Sequence, residues 1–191
     1  MAARSDPAPG RLRIVGGTLR GSRLEVADAP GLRPTPDRVR ETLFNWLMPV
    51  IEGARCLDLF AGTGALGIEA LSRGAAQVDF VETDGQLATS LRDNLMRLKQ
   101  TAFVHRRDAV QFLAATDARY DIVFIDPPFT SGLWTAAAQA LEAHDRLQAH
   151  ALIYVESPAQ EIPQMPAHWQ LHREGRAGAV RYALYRRSAK L

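Results

Sequence analysis

The apolar run that begins at Tyr120 ends in Asp126-Pro127-Pro128-Phe129. Two prolines in succession force a rigid, extended exit from a strand and remove two backbone N–H donors. What is left is a set of acceptors with an aromatic face beside them. Such a set suits a flat primary amine attached to a conjugated ring. The lone pair of that amine is delocalised, so the nitrogen is a poor nucleophile. With its two hydrogens accepted by Asp126 and the carbonyl of Pro127, the nitrogen becomes more tetrahedral and can aim its lone pair at an electrophilic carbon. Phe129 would stack on the ring and hold it in line. No general base has to act beforehand, because such a nitrogen becomes strongly acidic once alkylated. The plain alternative is a structural turn from strand to loop, and these four residues alone do not decide between the two.

A second motif lies upstream. In Asp58-Leu59-Phe60-Ala61-Gly62-Thr63-Gly64-Ala65-Leu66-Gly67 the glycines form a G-x-G-x-x-G between an apolar strand and a helix, and Glu82 closes the strand that follows. Glycines let the backbone turn tightly and approach a ligand, and an acid at the next strand end can accept from both ribose hydroxyls. Glu82 would repel a 2′-phosphate, so the expected ligand is a nucleoside-type cofactor with a free ribose. The alternative is a glycine turn needed only for packing helix on strand. NAD and S-adenosylmethionine both satisfy the loop. Asp58 favours the second, since it could face the ammonium group of a methionine moiety, which dinucleotides lack. The amine-binding tetrapeptide favours it too.

These residues need a scaffold that brings them together. Residues 11–26 offer two short strand-like runs around glycines, a hairpin or small ribbon, and 27–35 a Pro/Gly-containing loop. Thr35-Pro36-Asp37 reads as an N-cap, a proline at the first helical position and an early acid. The helix it opens runs to about Met48, with Val39, Leu43, Phe44, Trp46 and Leu47 on its apolar face. Strands are then expected at 55–60, 77–82, 103–105, 120–126 and 152–156, and helices at 65–73, 85–98, 109–115 and 133–143. Strands at 169–174 and 179–187 close the chain as an antiparallel pair turning at Gly175-Arg176-Ala177-Gly178. The alternation predicts an α/β fold: an open, mostly parallel seven-stranded sheet with helices on both faces and a C-terminal antiparallel hairpin. Ligands in such sheets bind beyond the carboxyl ends of the strands, where the order reverses. That puts the chemistry near residues 60, 82 and 126. The organisation expected is a flexible tail over 1–10, a basic ribbon and loop over 11–35, and the catalytic domain over 36–191.

A chain of 191 residues suits one domain with a sizeable core. It contains no apolar run long enough for a bilayer, and its first ten residues lack the apolar stretch of a secretory leader, so cytoplasm is expected. Cys56 is the only cysteine and reads as a small core residue; the histidines show no metal-ligand spacing, so no metal is expected. Net charge is only +2, but Arg11, Arg13, Arg20 and Arg23 crowd the N-terminal ribbon, where they could neutralise phosphates. A solvated basic surface is the alternative. Asp84 reads as a helix cap, and so does Asp108, a role compatible with touching a ligand. Trp134 could stack a base, though anchoring its helix in the core is the favoured role.

DLFAGTGALGIEA, FVETD, RRDAVQF and FIDPPF resemble the successive motifs of class I methyltransferases that act on exocyclic amines, which share a Rossmann-like fold. With RIVGGTLRG and RPTPDRVRETLFNWL upstream and ALIYVES downstream, the chain resembles the bacterial RsmD-type guanine-N2 methyltransferases of 16S ribosomal RNA from about residue 11 to 187. The resemblance implies transfer of a methyl group from S-adenosylmethionine to guanine 966, in an assembled or nearly assembled 30S particle; a monomer is expected. It implies that Gly62, Gly64 and neighbouring backbone at Phe60 and Ala61 cradle the cofactor and that Glu82 holds its ribose. Asp108, with Ala109, would accept from the adenine amino group. Thr35, Arg38 and Glu41 would close over the methionine end, and Pro128 would face RNA. The segment from Gly67 to Asp126 leaves no room for an inserted target-recognition domain, which suits a folded RNA whose base is unstacked into the pocket. The alternatives are an amino-methyltransferase acting on DNA or protein glutamine, an NAD-dependent oxidoreductase, and a non-catalytic RNA-binding factor.

Overall fold

Each of the first four expected strands of the main sheet is followed by a helix, and that alternation dictates parallel pairing. The computed structural model describes residues 12–27, 32 and 34–188. The strands β3 (Arg55–Asp58), β4 (Gln77–Val81), β5 (Phe103–His105), β6 (Tyr120–Ile125) and β7 (Leu147–Pro158) run parallel. The hairpin of β8 (Trp169–Ala177) and β9 (Val180–Arg187) is added antiparallel to β7 through β9. The order is β5-β4-β3-β6-β7-β9-β8. After β3 the chain winds outward to β5, then returns to lay β6 on the other side of β3. The loops leaving β3 and β6 therefore diverge and open a crevice between them.

Side chains alternate across the sheet and feed two cores. On one face Cys56, Phe80, Phe124 and Tyr154 meet Leu43 and Phe44 of α1 (Asp37–Leu47), Ile68 of α2 (Ala65–Ser72) and Leu91 and Leu95 of α3 (Gly85–Arg97). On the other, Leu57, Val123, Ile125 and Ile153 meet Phe112 of α4 (Ala109–Ala115) and Trp134 and Leu141 of α5 (Trp134–Ala143). Burial on both faces explains why the central strands read as unbroken apolar runs.

The N-terminal ribbon forms as expected, β1 (Leu12–Arg13) against β2 (Arg23–Leu24). It is bonded to the helices rather than resting on them. The carboxylate of Glu69 on α2 accepts from the backbone N–H groups of Val15 and Gly16 at 2.9 and 2.8 Å. Ser72 accepts from the N–H groups of Thr18 and Leu19 at 2.8 and 2.9 Å. Arg40, wholly buried on α1, donates to the carbonyl of Arg13 at 2.8 Å and pairs with Glu69 and Asp37.

Three local expectations need correction. Thr35 does not cap α1: Pro36 takes the N-cap position, no side-chain bond caps the helix, and the Thr35 hydroxyl turns into the protein. β7 starts five residues earlier than its apolar core suggests, at Leu147, which pairs with Tyr120; the register then shifts, and regular pairing resumes with Leu152 beside Ile122. The last turn falls at Gly178-Ala179. Gly175 lies inside β8, where a Cβ would come within 2.4 Å of the Tyr182 ring, so its glycine serves packing. The tail over 1–10, Arg11 and Arg33 lie outside the described residues.

Candidate active site

The crevice between the loops after β3 and β6 is a cleft of about 540 Å³, lined from β3, β4, β6 and the segments that follow them. Asp58 ends β3 and is 2% exposed. Its Oδ2 accepts from the N–H of Gly67 at 3.0 Å, which ties the strand end to the first turn of α2. Burial pushes this carboxyl up to about 7; the Gly67 N–H opposes the rise and the charge of Glu82 adds to it.

The glycines of the motif divide by role. Gly62 lies on the cleft in the left-handed region, φ 54°, and its N–H donates to Glu82 Oε2 at 2.7 Å. Among the described residues a Cβ there would meet Leu32, at 3.3 Å. Gly64, φ 79°, is the N-cap of α2, and a Cβ would lie 2.2 Å from Leu91. At Gly67 a Cβ would lie 2.2 Å from the Phe80 ring. Gly64 and Gly67 are absent from the cleft lining and stand against packed side chains, whereas Gly62 faces the cleft.

Glu82 follows β4 and is held by two backbone donors, Gly62 on one oxygen and Asp84 on the other at 2.9 Å. Asp84 caps α3 through Gln86 and Leu87, as expected. Asp108 caps α4 by accepting from Gln111 at 3.0 Å and also lines the cleft, beside Arg107 and Ala109.

Asp126 leaves β6 at the cleft floor. Pro127 is buried, Pro128 is exposed, and Phe129 is partly buried with its ring centroid 6.1 Å from that of Trp134. Ser131 donates both its N–H and its hydroxyl to the carbonyl of Pro128, at 2.9 and 2.7 Å, and leaves that of Pro127 alone. Trp134 is buried and donates Nε1–H to the carbonyl of Glu156 at 2.7 Å, which fixes it as the anchor of α5.

Glu156 was not marked by sequence reasoning. It lies near the end of β7, 4% exposed, and lines the cleft beside Asp126. Its Oε2 accepts from Tyr154 and from Thr35, each at 3.0 Å; Thr35 Oγ1 lies 3.5 Å from Asp126 Oδ2. Burial, then the charges of Glu156 and Asp58, push the Asp126 carboxyl well above its ordinary range. The signal that could have found Glu156 was topological: an acid closing the apolar run ALIYVE, on a strand next to the one carrying Asp126.

The structure thus gathers Thr35, Asp58, Phe60, Ala61, Gly62, Glu82, Asp108, Ala109, Asp126, Pro127, Pro128 and Phe129 on one cleft. It does not bring Arg38 there. Arg38 and Glu41 are exposed on α1, whose buried face is taken by Val39, Arg40, Leu43, Phe44 and Leu47. On the ribbon, Arg13 pairs with Asp37 at 3.3 Å, while Arg20 and Arg23 are exposed.

The family model described as Conserved hypothetical protein 95 matches residues 12–186. The ribosomal RNA small subunit methyltransferase D of Escherichia coli (strain K12) is 52% identical over 183 residues, covering 95% of this chain and 92% of its own. The protein of the same name from Haemophilus influenzae is 45% identical over 183 residues, with 93% and 95% covered. Among solved structures, Escherichia coli yhhF, provisionally assigned as a methyltransferase, matches with a TM-score of 0.86 at 52% identity, over 95% of this chain and 100% of that one. By its matched length and by these identities, the chain belongs to the family of the ribosomal RNA small subunit methyltransferase D proteins.

Proposed function

We propose that the protein transfers a methyl group from S-adenosylmethionine to the exocyclic N2 amine of a guanine in 16S ribosomal RNA, with the 30S particle as substrate and the cytoplasm as its place of work. The observation that carries the chemistry is the meeting of Asp126 and its proline corner with the Gly62 loop on one cleft, at the point where the strand order reverses. The RNA class rests on relatives named for small-subunit ribosomal RNA.

The charges of the cleft separate this reading from a nicotinamide enzyme. Among the described residues, Asp58, Glu82, Asp108, Asp126 and Glu156 line it, against Arg107 as the one cation. A surplus of carboxyl groups suits a ligand with an ammonium and a sulfonium and opposes the two phosphates of a dinucleotide. When bound, S-adenosylmethionine supplies an electrophilic methyl group. Asp58 faces the ammonium, Glu82 accepts from the ribose hydroxyls, and Asp108, beside Ala109, accepts from the adenine amino group. Asp126 and the carbonyl of Pro127 take the two hydrogens of the target amine, and Phe129 stacks on the flipped base.

Labelled S-adenosylmethionine offered with unmodified 30S particles, naked 16S RNA and duplex DNA tests the reading. Label is expected in ribosomal RNA; label only in DNA, or in none of the three, overturns it. In Asp126→Ala the methylation rate should fall by orders of magnitude while cofactor affinity changes little. Equal losses in both would mean that Asp126 serves the cofactor instead.

A further inference from the structure

β8 is the outermost strand at one edge of the sheet, and from Gln170 to Arg176 every residue but Gly175 is exposed. On the face that the hairpin shares with α1 it presents Arg173 and Arg186, both exposed, with His172 beside them. Strand pairing fixes that face. Arg186 stands opposite Leu152 and Arg173 opposite Leu184, and both leucines belong to the core on the α1 side. Burial, then the charges of Arg186 and Arg173, hold the His172 imidazole below its ordinary range. Glu174 and Arg176 take the opposite face, where Glu174 pairs with Arg181 at 2.9 Å.

This face and α1 form the two sides of a trough. Arg38, Thr42 and Trp46 recur every four residues and make one flank of the helix. Trp46 lies against Tyr182 of β9, ring centroids 5.6 Å apart, so that flank faces the hairpin. Asp37 and Glu41 make the other flank, toward the ribbon, where Asp37 pairs with Arg13 and Arg40. The trough begins at the cleft, because α1 starts beside Thr35 and Tyr182 stands opposite Glu156, both cleft residues. Its sides run about 12 Å along α1 to Trp46 and about 13 Å along β9 to Arg186. It ends at a hollow lined by Val50, His150, Leu152 and Arg186. Arg13, Arg40, Arg181 and Arg187 are paired with carboxylates, whereas Arg38, Arg173 and Arg186 make no ion pair among the described residues.

We propose that the RNA strand carrying the target guanine runs out of the cleft along this trough, with Arg38, Arg173 and Arg186 on its phosphates. The inference rests on the RNA methyl-transfer reading above. A base reaches the cleft only when it is turned out of its stack, so the backbone beside it must cross the rim. The cleft is lined mainly by carboxyl groups, which repel phosphates, and the trough sets cations at its mouth and along its floor. These arginines stand on a helix and on paired strands, rigid elements that position a backbone without reading its sequence. Arg38 thereby serves the substrate rather than the cofactor.

Arg38→Gln, Arg173→Gln and Arg186→Gln combined in one variant test the path, with binding to unmodified 30S particles and to naked 16S RNA measured across a salt series. All three side chains are exposed, so thermal unfolding should not change. If each neutralises one phosphate of unpaired RNA, the slope of log K against log salt should become shallower by about 2 on both substrates. KM for 30S particles should rise roughly tenfold or more, and S-adenosylmethionine affinity should stay as it was. Lysine at the same three positions keeps the charge and should restore most of the slope. Arg176→Gln, on the other face of the same strand, should leave the slope alone. An unchanged slope in the triple variant, or an equal loss per residue in Arg176→Gln, overturns the proposal. So does a loss on 30S particles with none on naked RNA, since the trough would then hold a ribosomal protein. Failure of the unaltered protein to label 30S particles would instead overturn the methyl-transfer reading.

Discussion

Asp58 must be ionised to hold an ammonium group, yet its burial pushes the carboxyl up to about 7. Cofactor affinity is therefore expected to fall as pH drops, by roughly tenfold or more between pH 7.5 and pH 5.5, with binding calorimetry as the measurement. A flat profile would remove Asp58 from the cofactor's charge. Thermal stability of the cofactor-free protein carries the opposite slope from this group. Because the folded-state value is raised, the folded chain holds the Asp58 proton more tightly than the unfolded chain does. That contribution is complete below about pH 4 and is lost as pH rises to about 7, so replacing Asp58 with Asn should remove it. Asp58 and Asp126 stood out in the sequence because each closes an apolar strand beside a recognisable turn. Glu156, Arg40 and Glu69 did not. A buried ion is recognised by what surrounds it, and the partners of Glu156 and Glu69 come from distant parts of the chain: Thr35 for one, Val15 and Gly16 for the other.

At the scale of elements, periodicity located the five helices of the described residues and the seven strands of the main sheet, since both cores impose their spacing on the residues that feed them. What it could not separate were positions of identical residue type. Gly62, Gly64 and Gly67 look equivalent in a motif but stand in different surroundings. Gly64→Ala places a methyl group against Leu91 on a left-handed backbone, and Gly67→Ala drives one into the Phe80 ring. Each should cost about 2 kcal/mol or more in chemical denaturation. Gly62→Ala meets little beyond its backbone conformation and should cost about 1 kcal/mol, while losing more cofactor affinity than its stability loss implies. If Gly64→Ala folds as well as Gly62→Ala does, the division of roles is wrong. Thr35 shows the same limit of local pattern. As a hydroxyl residue before proline and aspartate it reads as a cap, and only the approach of β6 and β7 turns it toward the carboxyl pair.

For the whole molecule, the question is whether the N-terminal ribbon is a detachable RNA-binding arm. The charges on it suggested one, and its bonding argues otherwise. Leu12, Ile14 and Leu24 are buried, and Glu69 is satisfied jointly by ribbon backbone, Arg40 and Arg73. Removing residues 12–26 exposes three apolar side chains' worth of core, about 1.5–3 kcal/mol each, and strips partners from a buried ion network, where losses of about 3–5 kcal/mol are usual. Together these match the stability of a typical domain, so the truncated chain should fail to fold. It cannot be used to ask about RNA. Charge reversal can: Arg20 and Arg23 are exposed, and Arg20→Glu with Arg23→Glu should leave stability within about 0.5 kcal/mol. If each side chain neutralises one phosphate, the double variant should bind 30S particles more weakly and show a salt dependence of log K shallower by roughly 1.4–1.8. Cofactor affinity should not change. An unaltered salt slope would mean that the ribbon's arginines are solvated surface and that the phosphate contacts lie elsewhere around the cleft, with Arg107 at its rim the next residue to reverse.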